Sequence, residues 1–370
     1  MNEILFNGLV GQDRSLNILE KFYNSNRIPH ALLFSGPEGV GKHLAAKNFI
    51  KLLNSNLQDE TKKKIFSQID QFEEPAIKFI CALPRGKGET NSDSPVGKLT
   101  KSQIEEISKQ IKKKALDPYY RISIPDANNI KINSIRDINK FISLYGNSDD
   151  YKAVIISQAH NMNTEAQNAL LKNLEEPPSK IIFFLITDQP EKLLETIHSR
   201  SWTVNFNPLK DELVEKILEK HYGVEPREAR YLALLANGSV SNALRLKDMD
   251  IESNIDRVII ILRYSLGRRY ATALNEFRLA IEDNNAENFV FLMNLIINWF
   301  SDTVRHRSIG KVVYFEKHKE TIEKYNLRFA NPKNDKIIDS LNKLTNLKDN
   351  NISLNVLIMN IIFELAKLSI

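Results

Sequence analysis

The stretch that most narrows the choice of fold is "ALLFSGPEGVGKHLAAKNFIKLL", beginning at Ala31. A short apolar run, "ALLF", leads into the glycine-rich loop "GPEGVGKH" (Gly36 to His43), and "HLAAKNFIKLL" then has a helical pattern. Strand, loop, helix in that order is the context in which a phosphate-binding loop works. Its glycines let backbone N–H groups point at phosphate oxygens, its lysine neutralises them, and the hydroxyl that follows holds Mg²⁺. Gly36, Gly39, Gly41 and Lys42 are in place, but His43 stands where the hydroxyl belongs. Magnesium is a hard cation that prefers oxygen ligands in tight octahedral geometry, and imidazole substitutes poorly. The loop is therefore compatible with phosphate binding and poorly suited to metal-assisted chemistry.

Two further runs, "KAVIIS" (Lys152 to Ser157) and "IIFFLIT" (Ile181 to Thr187), are continuously apolar, as strands buried on both faces are. Between them "NTEAQNALLKNLEEPP" reads as a helix stopped by Pro177 and Pro178. The alternation predicts an α/β core with a doubly wound parallel sheet over residues 1–208. Residues 54–118 break that rhythm and read as an insertion between the first helix and the next core strand. They hold the polar "PRGKGETNSDSPVG", expected to be a mobile loop, and the amphipathic "TKSQIEEISKQIKKKAL", expected to be a helix whose Lys112 to Lys114 form a solvated face.

After Pro208 the strands stop. "KDELVEKILEKHYG" and "EPREARYLALLANG" predict a small helical lid over residues 209–250, the second helix ending at Gly238 as a C-cap glycine. Residues 251–370 read as an all-helical C-terminal domain. Phe291, Leu295 and Trp299 share one face there, and so do Leu354, Ile358, Ile361, Leu365 and Leu368. A chain of 370 residues is long enough for such a division. Cys81 is the only cysteine, which excludes internal disulfides and thiolate zinc clusters. "MNEILFNGLVGQDRS" lacks the basic and apolar segments of a signal peptide, and the most apolar window, Ile352 to Leu368, is short and interrupted by Asn355, Asn360, Glu364 and Lys367. The expectation is a cytoplasmic protein. The net charge of +5, from 51 basic against 46 acidic residues, fits a polyanionic partner without demanding one.

A hydrolytic site also needs an acidic pair at the carboxyl end of the strand after the loop helix. That strand, "YKAVIISQAHNM", carries Ser157 and Gln158 there, and Asp149 and Asp150 lie at its other end, roughly 20 Å away at ~3.3 Å per residue. His30 in "IPHA" reads as a packing or hydrogen-bonding residue. His43 reads as a solvated imidazole at a helix N-terminus, not as a metal ligand.

Taken together, "GLVGQDR" (Gly8 to Arg14), "RIPHALLFSGPEGVGK" (Arg27 to Lys42), "NALLKNLEEPP" (Asn168 to Pro178), "FFLIT" and "TIHSRSWTVNF" (Thr196 to Phe206) resemble the δ′ (delta prime) family of bacterial DNA polymerase III clamp-loader subunits, within the AAA+ superfamily. The resemblance runs from about Phe6 to Leu246, the insertion excepted. It implies a subunit of a spiral in which each ATP lies at an interface and the neighbour supplies an arginine from a Ser-Arg-Cys motif. Here that motif reads Ser199-Arg200-Ser201, and Arg200 would act in trans as the arginine finger. "GSVSNAL" has Ser241 where active relatives have a sensor arginine, and Thr187 matches a polar sensor position. Many relatives carry a four-cysteine zinc module after the first helix; this chain does not, so no zinc is expected.

The resemblance thus implies a non-catalytic subunit of the DNA polymerase III holoenzyme in DNA replication, joined to its complex through a C-terminal helical collar. ATP or ADP held without hydrolysis is compatible with the loop, and no cofactor is required. The implied partners are the gamma/tau ATPase and delta subunits, the sliding clamp within the complex, and primer–template DNA reached through the assembly, with no membrane. The alternatives are a catalytically active gamma/tau-like motor and a related DNA-repair AAA+ ATPase.

Overall fold

The computed structural model describes residues 3–145, 149–281, 286–329, 334–347 and 352–369. Its centre is a five-stranded sheet built from β1 (Ala31–Ser35), β2 (Ile77–Ile80), β3 (Lys152–Ile156), β4 (Ile181–Thr187) and β5 (Trp202–Asn205). All neighbours pair in parallel, in the order β2-β3-β4-β1-β5. β1, β3 and β4 are buried along their whole length, which explains their unbroken apolar runs. The edge strands are less buried: Trp202, Thr203 and Asn205 of β5 are exposed, and β2 buries only its two end isoleucines. One face of the sheet packs Phe34, Phe49, Phe184 and Phe206 ring against ring. The other carries Val154, Ile156 and Phe183 against Ile135, Ile138, Phe141, Leu170 and Leu174. Because the order reverses around β1, the carboxyl ends of β1, β4 and β3 converge where α/β sheets bind ligands.

The stretch 54–118 differs from its sequence reading. It contains β2, which completes the sheet edge by pairing Ile77 with Ala153 and Ile80 with Ile156, so only part of it stands outside the α/β rhythm. The loop at 84–97 is tied down. Glu89 is 8% exposed and holds Lys131 at 2.8 Å, Asn133 at 2.8 Å and the amide of Gly86 at 2.8 Å. Lys131 also donates to the carbonyls of Pro84 and Pro95. A buried ion pair that gathers both ends of a loop outweighs the freedom its composition suggests. The helix Lys101–Leu116 opens on Thr100 in a capping box with Gln103.

The chain divides into two compact units, residues 1–245 and 246–370. In the first, the sheet domain is followed by helices Asp211–Tyr222, Pro226–Leu235 and the start of Val240–Lys247. Gly223 provides the left-handed cap of the first of these. The second is capped by Ala236, not by Gly238, whose positive φ serves the turn that follows and whose Cβ would lie 2.5 Å from the Leu209 carbonyl oxygen. In the second unit, helices include Ile251–Leu266, Tyr270–Ile281, Ala286–Ile309, Lys319–Arg328, Asn334–Asn346 and Leu354–Ala366. Phe291, Leu295 and Trp299 are buried, and so are Ile358, Ile361 and Leu365. Trp299 packs edge-on against Phe300 and Tyr325, and the buried Asp302 carboxylate accepts the amides of Val313, Tyr314 and Phe315. Among the described residues no helix is long and apolar enough to cross a membrane.

Candidate functional site

The loop follows β1 and ends at the helix Lys42–Leu53. Gly36, Gly39 and Gly41 all have positive φ, at 144°, 72° and 97°. At Gly36 and Gly39 the space is closed as well: a Cβ would lie 2.1 Å from the carbonyl oxygen of Phe206 and 2.5 Å from the amide nitrogen of Ser241, respectively. The Gly36 amide donates to the Thr187 carbonyl, which ties the loop to the end of β4. Gln12 bonds to the backbone of Asn207 and, at 3.4 Å, to the Val40 carbonyl, holding the loop to the exit of β5.

Lys42 does not point outward. Its ammonium donates to the carbonyls of Gly36 and, at 2.6 Å, Pro37. Burial pushes its pKa down to about 8, against the opposing pull of Asp188 and Glu38. His43 is bonded rather than solvated: its Nε2 lies 2.8 Å from Ser157 Oγ, at the strand end where a carboxylate would be needed. Burial first, then Lys114, Lys42 and Lys47, hold His43 well below the usual imidazole range, so the ring is neutral near pH 7. The Thr187 hydroxyl is buried and engaged, 3.0 Å from His160 Nδ1 and accepting the Gln189 amide at 3.0 Å. Gly39, Gly41, Lys42, His43 and Thr187 line one pocket with Gln158 and Lys114.

Four lining or neighbouring groups escaped the sequence reading. Glu38 and Asp188 are carboxylates, but neither stands at the end of β3. Glu38 is held by Arg121 at 3.2 Å, and burial raises its pKa; Asp188 faces His160 at 3.2 Å. Lys114 is not solvated: it is 7% exposed, and burial brings it down to about 8 despite Glu38 and Asp117. Tyr119 is buried beside it. A signal for Lys114 was present, since Ile104, Ile107 and Ile111 form a stripe that Lys114 continues at helical spacing. The cavity left among these side chains is about 30 Å³, room for one or two waters where small-molecule sites need roughly 300 Å³ or more. As arranged, these residues do not fit a nucleotide. Among the described residues no cluster of three or more metal-ligating side chains occurs.

Arg200 is not brought to this pocket. It follows the short helix Glu195–His198, and its guanidinium meets Glu175 at 2.8 Å and the Thr196 carbonyl at 3.1 Å. Glu175 ends the helix Thr164–Glu175, which starts from an Asn163 cap, so "LEEPP" does more than stop a helix. Arg200 is about a third exposed, beside the open edge of β5 where Trp202 is 56% exposed.

Residues 11–210 match the family described as "DNA polymerase III, delta subunit". The chain is 30% identical over 256 residues to the tau subunit of DNA polymerase III from Bacillus subtilis (strain 168), covering 68% of this chain and 38% of that one. It is 31% identical over 240 residues to the delta' subunit from the same organism, covering 65% and 60%. The match thus spans less than two thirds of the length of these curated relatives. Among solved structures, a gamma-subunit-related protein from Thermotoga maritima is similar at a TM-score of 0.41 and 16% identity, over 95% of this chain and 99% of that one.

Proposed function

The chain belongs to the DNA polymerase III delta-subunit family, and we propose that within it the chain is a non-catalytic, δ′-like clamp-loader subunit that offers Arg200 in trans to a neighbouring ATPase. The observation that carries this reading is the contrast in placement: the chain's one arginine of finger type sits at an exposed edge, away from its own loop. The loop's chemistry supports the same reading. His43 and Ser157 bond to each other at the two positions that would hold Mg²⁺, Gln158 stands where a glutamate would orient water, and Lys42 is turned onto its own backbone. A guanidinium has donors to spare beyond the Glu175 contact, and its planar fork suits phosphate oxygens. The partners under this reading are the gamma/tau and delta subunits, with the sliding clamp and primer–template DNA engaged by the assembly, and residues 251–370 serve as the collar that joins it.

The test is a reconstituted clamp loader carrying wild-type, Arg200→Ala or Arg200→Lys chain, assayed for DNA- and clamp-stimulated ATPase. An arginine finger is worth about 10³- to 10⁵-fold at the site it serves. Total turnover should therefore fall in part, as one site goes nearly silent while the others continue, and lysine should rescue poorly. Lys42→Ala should change turnover much less. If Lys42→Ala is the more damaging change, the chain is a gamma/tau-like motor working through its own loop.

A further inference from the structure

The carboxyl end of the sheet is closed by the chain's own insertion. Helix Lys101–Leu116 delivers Lys114 to the loop pocket, and Lys114 Nζ donates to the carbonyls of Pro118 and Tyr120, both at 2.7 Å. Those two bonds bend residues 117–120 into a hook, which an Asp117 turn to the Tyr119 amide reinforces at 2.8 Å. The hook reaches both sides of the cleft. Toward the loop, Arg121 pairs with Glu38 at 3.2 Å. Toward the small helical unit, the Tyr119 carbonyl accepts Ser241 Oγ, and Asp117 Oδ1 accepts the Tyr222 hydroxyl at 2.7 Å. Pro118 and Lys114 line the remaining 30 Å³.

We propose that residues 114–121 are a built-in substitute for nucleotide: they fill the loop pocket and bridge loop to helical unit, so that this unit stays at one angle whether or not nucleotide is present. The inference deepens the reading of the chain as a non-catalytic subunit and rests on it. In this chain the Arg121 guanidinium meets Glu38 of the loop, while the Asp117 carboxylate and the Tyr119 carbonyl accept Tyr222 and Ser241 of the helical unit, so both sides of the cleft are held from inside. The substitution of Ser241 for a basic residue becomes intelligible, since a hydroxyl donates to a carbonyl where an arginine would have had a phosphate.

The test uses the full chain alone, with a fluorescent N-methylanthraniloyl-ADP as probe and hydrogen exchange at residues 240–247 as a second readout. Wild type should show no saturable binding up to about 1 mM, and its exchange should be unchanged by ADP. The double variant Tyr222→Phe/Ser241→Ala cuts both contacts to the helical unit and leaves the core contacts. It should exchange several-fold faster at 240–247 and bind the probe at least tenfold tighter than wild type. Should its circular dichroism show that it does not fold, Tyr222→Phe alone gives the same two readouts in smaller measure. Saturable micromolar binding by wild type, or variants that neither loosen residues 240–247 nor gain affinity, would overturn the proposal. Arg200→Ala should move neither readout, so failure of the trans-acting arginine and failure of the internal substitute are separately visible.

Discussion

Lys42 and Arg200 are the two cations that the sequence motifs single out, yet the fold treats them in opposite ways. Lys42 is 6% exposed, bonded to the carbonyls of its own loop and hemmed in by the insertion. Arg200 is about a third exposed and held by one ion pair with a half-exposed glutamate and by a carbonyl one turn back. The loop region has become interior: its glycines are required by neighbours that pack against them, and its polar atoms are satisfied within the chain. The Arg200 corner has stayed surface, with a weak and reversible restraint. Lys42 is buried with its donors turned onto its own loop, whereas Arg200 keeps spare hydrogen-bonding capacity at the surface.

The comparison breaks most visibly at Gly36. If that glycine is now a packing residue, Gly36→Ala should destabilise the chain by about 3 kcal/mol or more, because a Cβ would strike the Phe206 backbone from a φ of 144°. Urea denaturation of the variant reads this directly, and a loss below about 1 kcal/mol would mean that the loop is as free as the corner.

A second and smaller effect comes from pH. Lys42 and Lys114 titrate at about 8 when folded, below the ordinary 10.5, so between those values the unfolded chain binds protons that the folded chain has released. Stability should therefore rise with pH from about 8 to about 10, on the order of 1–2 kcal/mol per lysine. Above about 10 the rise should reverse, since burial pushes Tyr119 up to about 12 and the unfolded chain then loses its phenolic proton first. Denaturation midpoints across that window check the sign, and Lys114→Met should flatten the rise.

The smallest effect is expected at the corner. Glu175→Gln should change stability by less than about 1 kcal/mol, because both partners of the Arg200 pair are substantially solvated. A larger loss would make the pair structural and remove the contrast.

What the sequence made legible follows from how each element is buried. Unbroken apolar runs announced β1, β3 and β4, and helical stripes announced the faces around Trp299 and Ile361. β2 was missed because an edge strand keeps polar positions: "IKFI" carries Lys78, which turns outward to Glu74 and Asp137. The glycine and lysine spacing named the loop, and it could not reveal that Lys42 turns inward or that His43 finds Ser157, 114 positions away. Lys114 sits in a run of three lysines whose local chemistry reads as solvent-facing; only the return of the insertion across the sheet buries it. Local pattern specifies elements well, but the partner of a polar group is decided by chain contacts far apart in sequence.

The clasp around Glu89 changes how this chain should be handled at the bench. Residues 84–97, rich in glycine, serine and proline, look like the natural place to splice in a tag, a fluorophore site or a protease cleavage sequence. Yet both ends of that loop converge on one buried carboxylate and one lysine, and Arg136 fastens its tip at the Asn91 carbonyl. Added length there would pull apart a desolvated ion pair, and the damage would be felt at the start of helix Ile132–Tyr145, which Lys131 and Asn133 flank. Trypsin should accordingly spare Arg85 and Lys87 in the native chain, although composition alone would nominate them as early cuts.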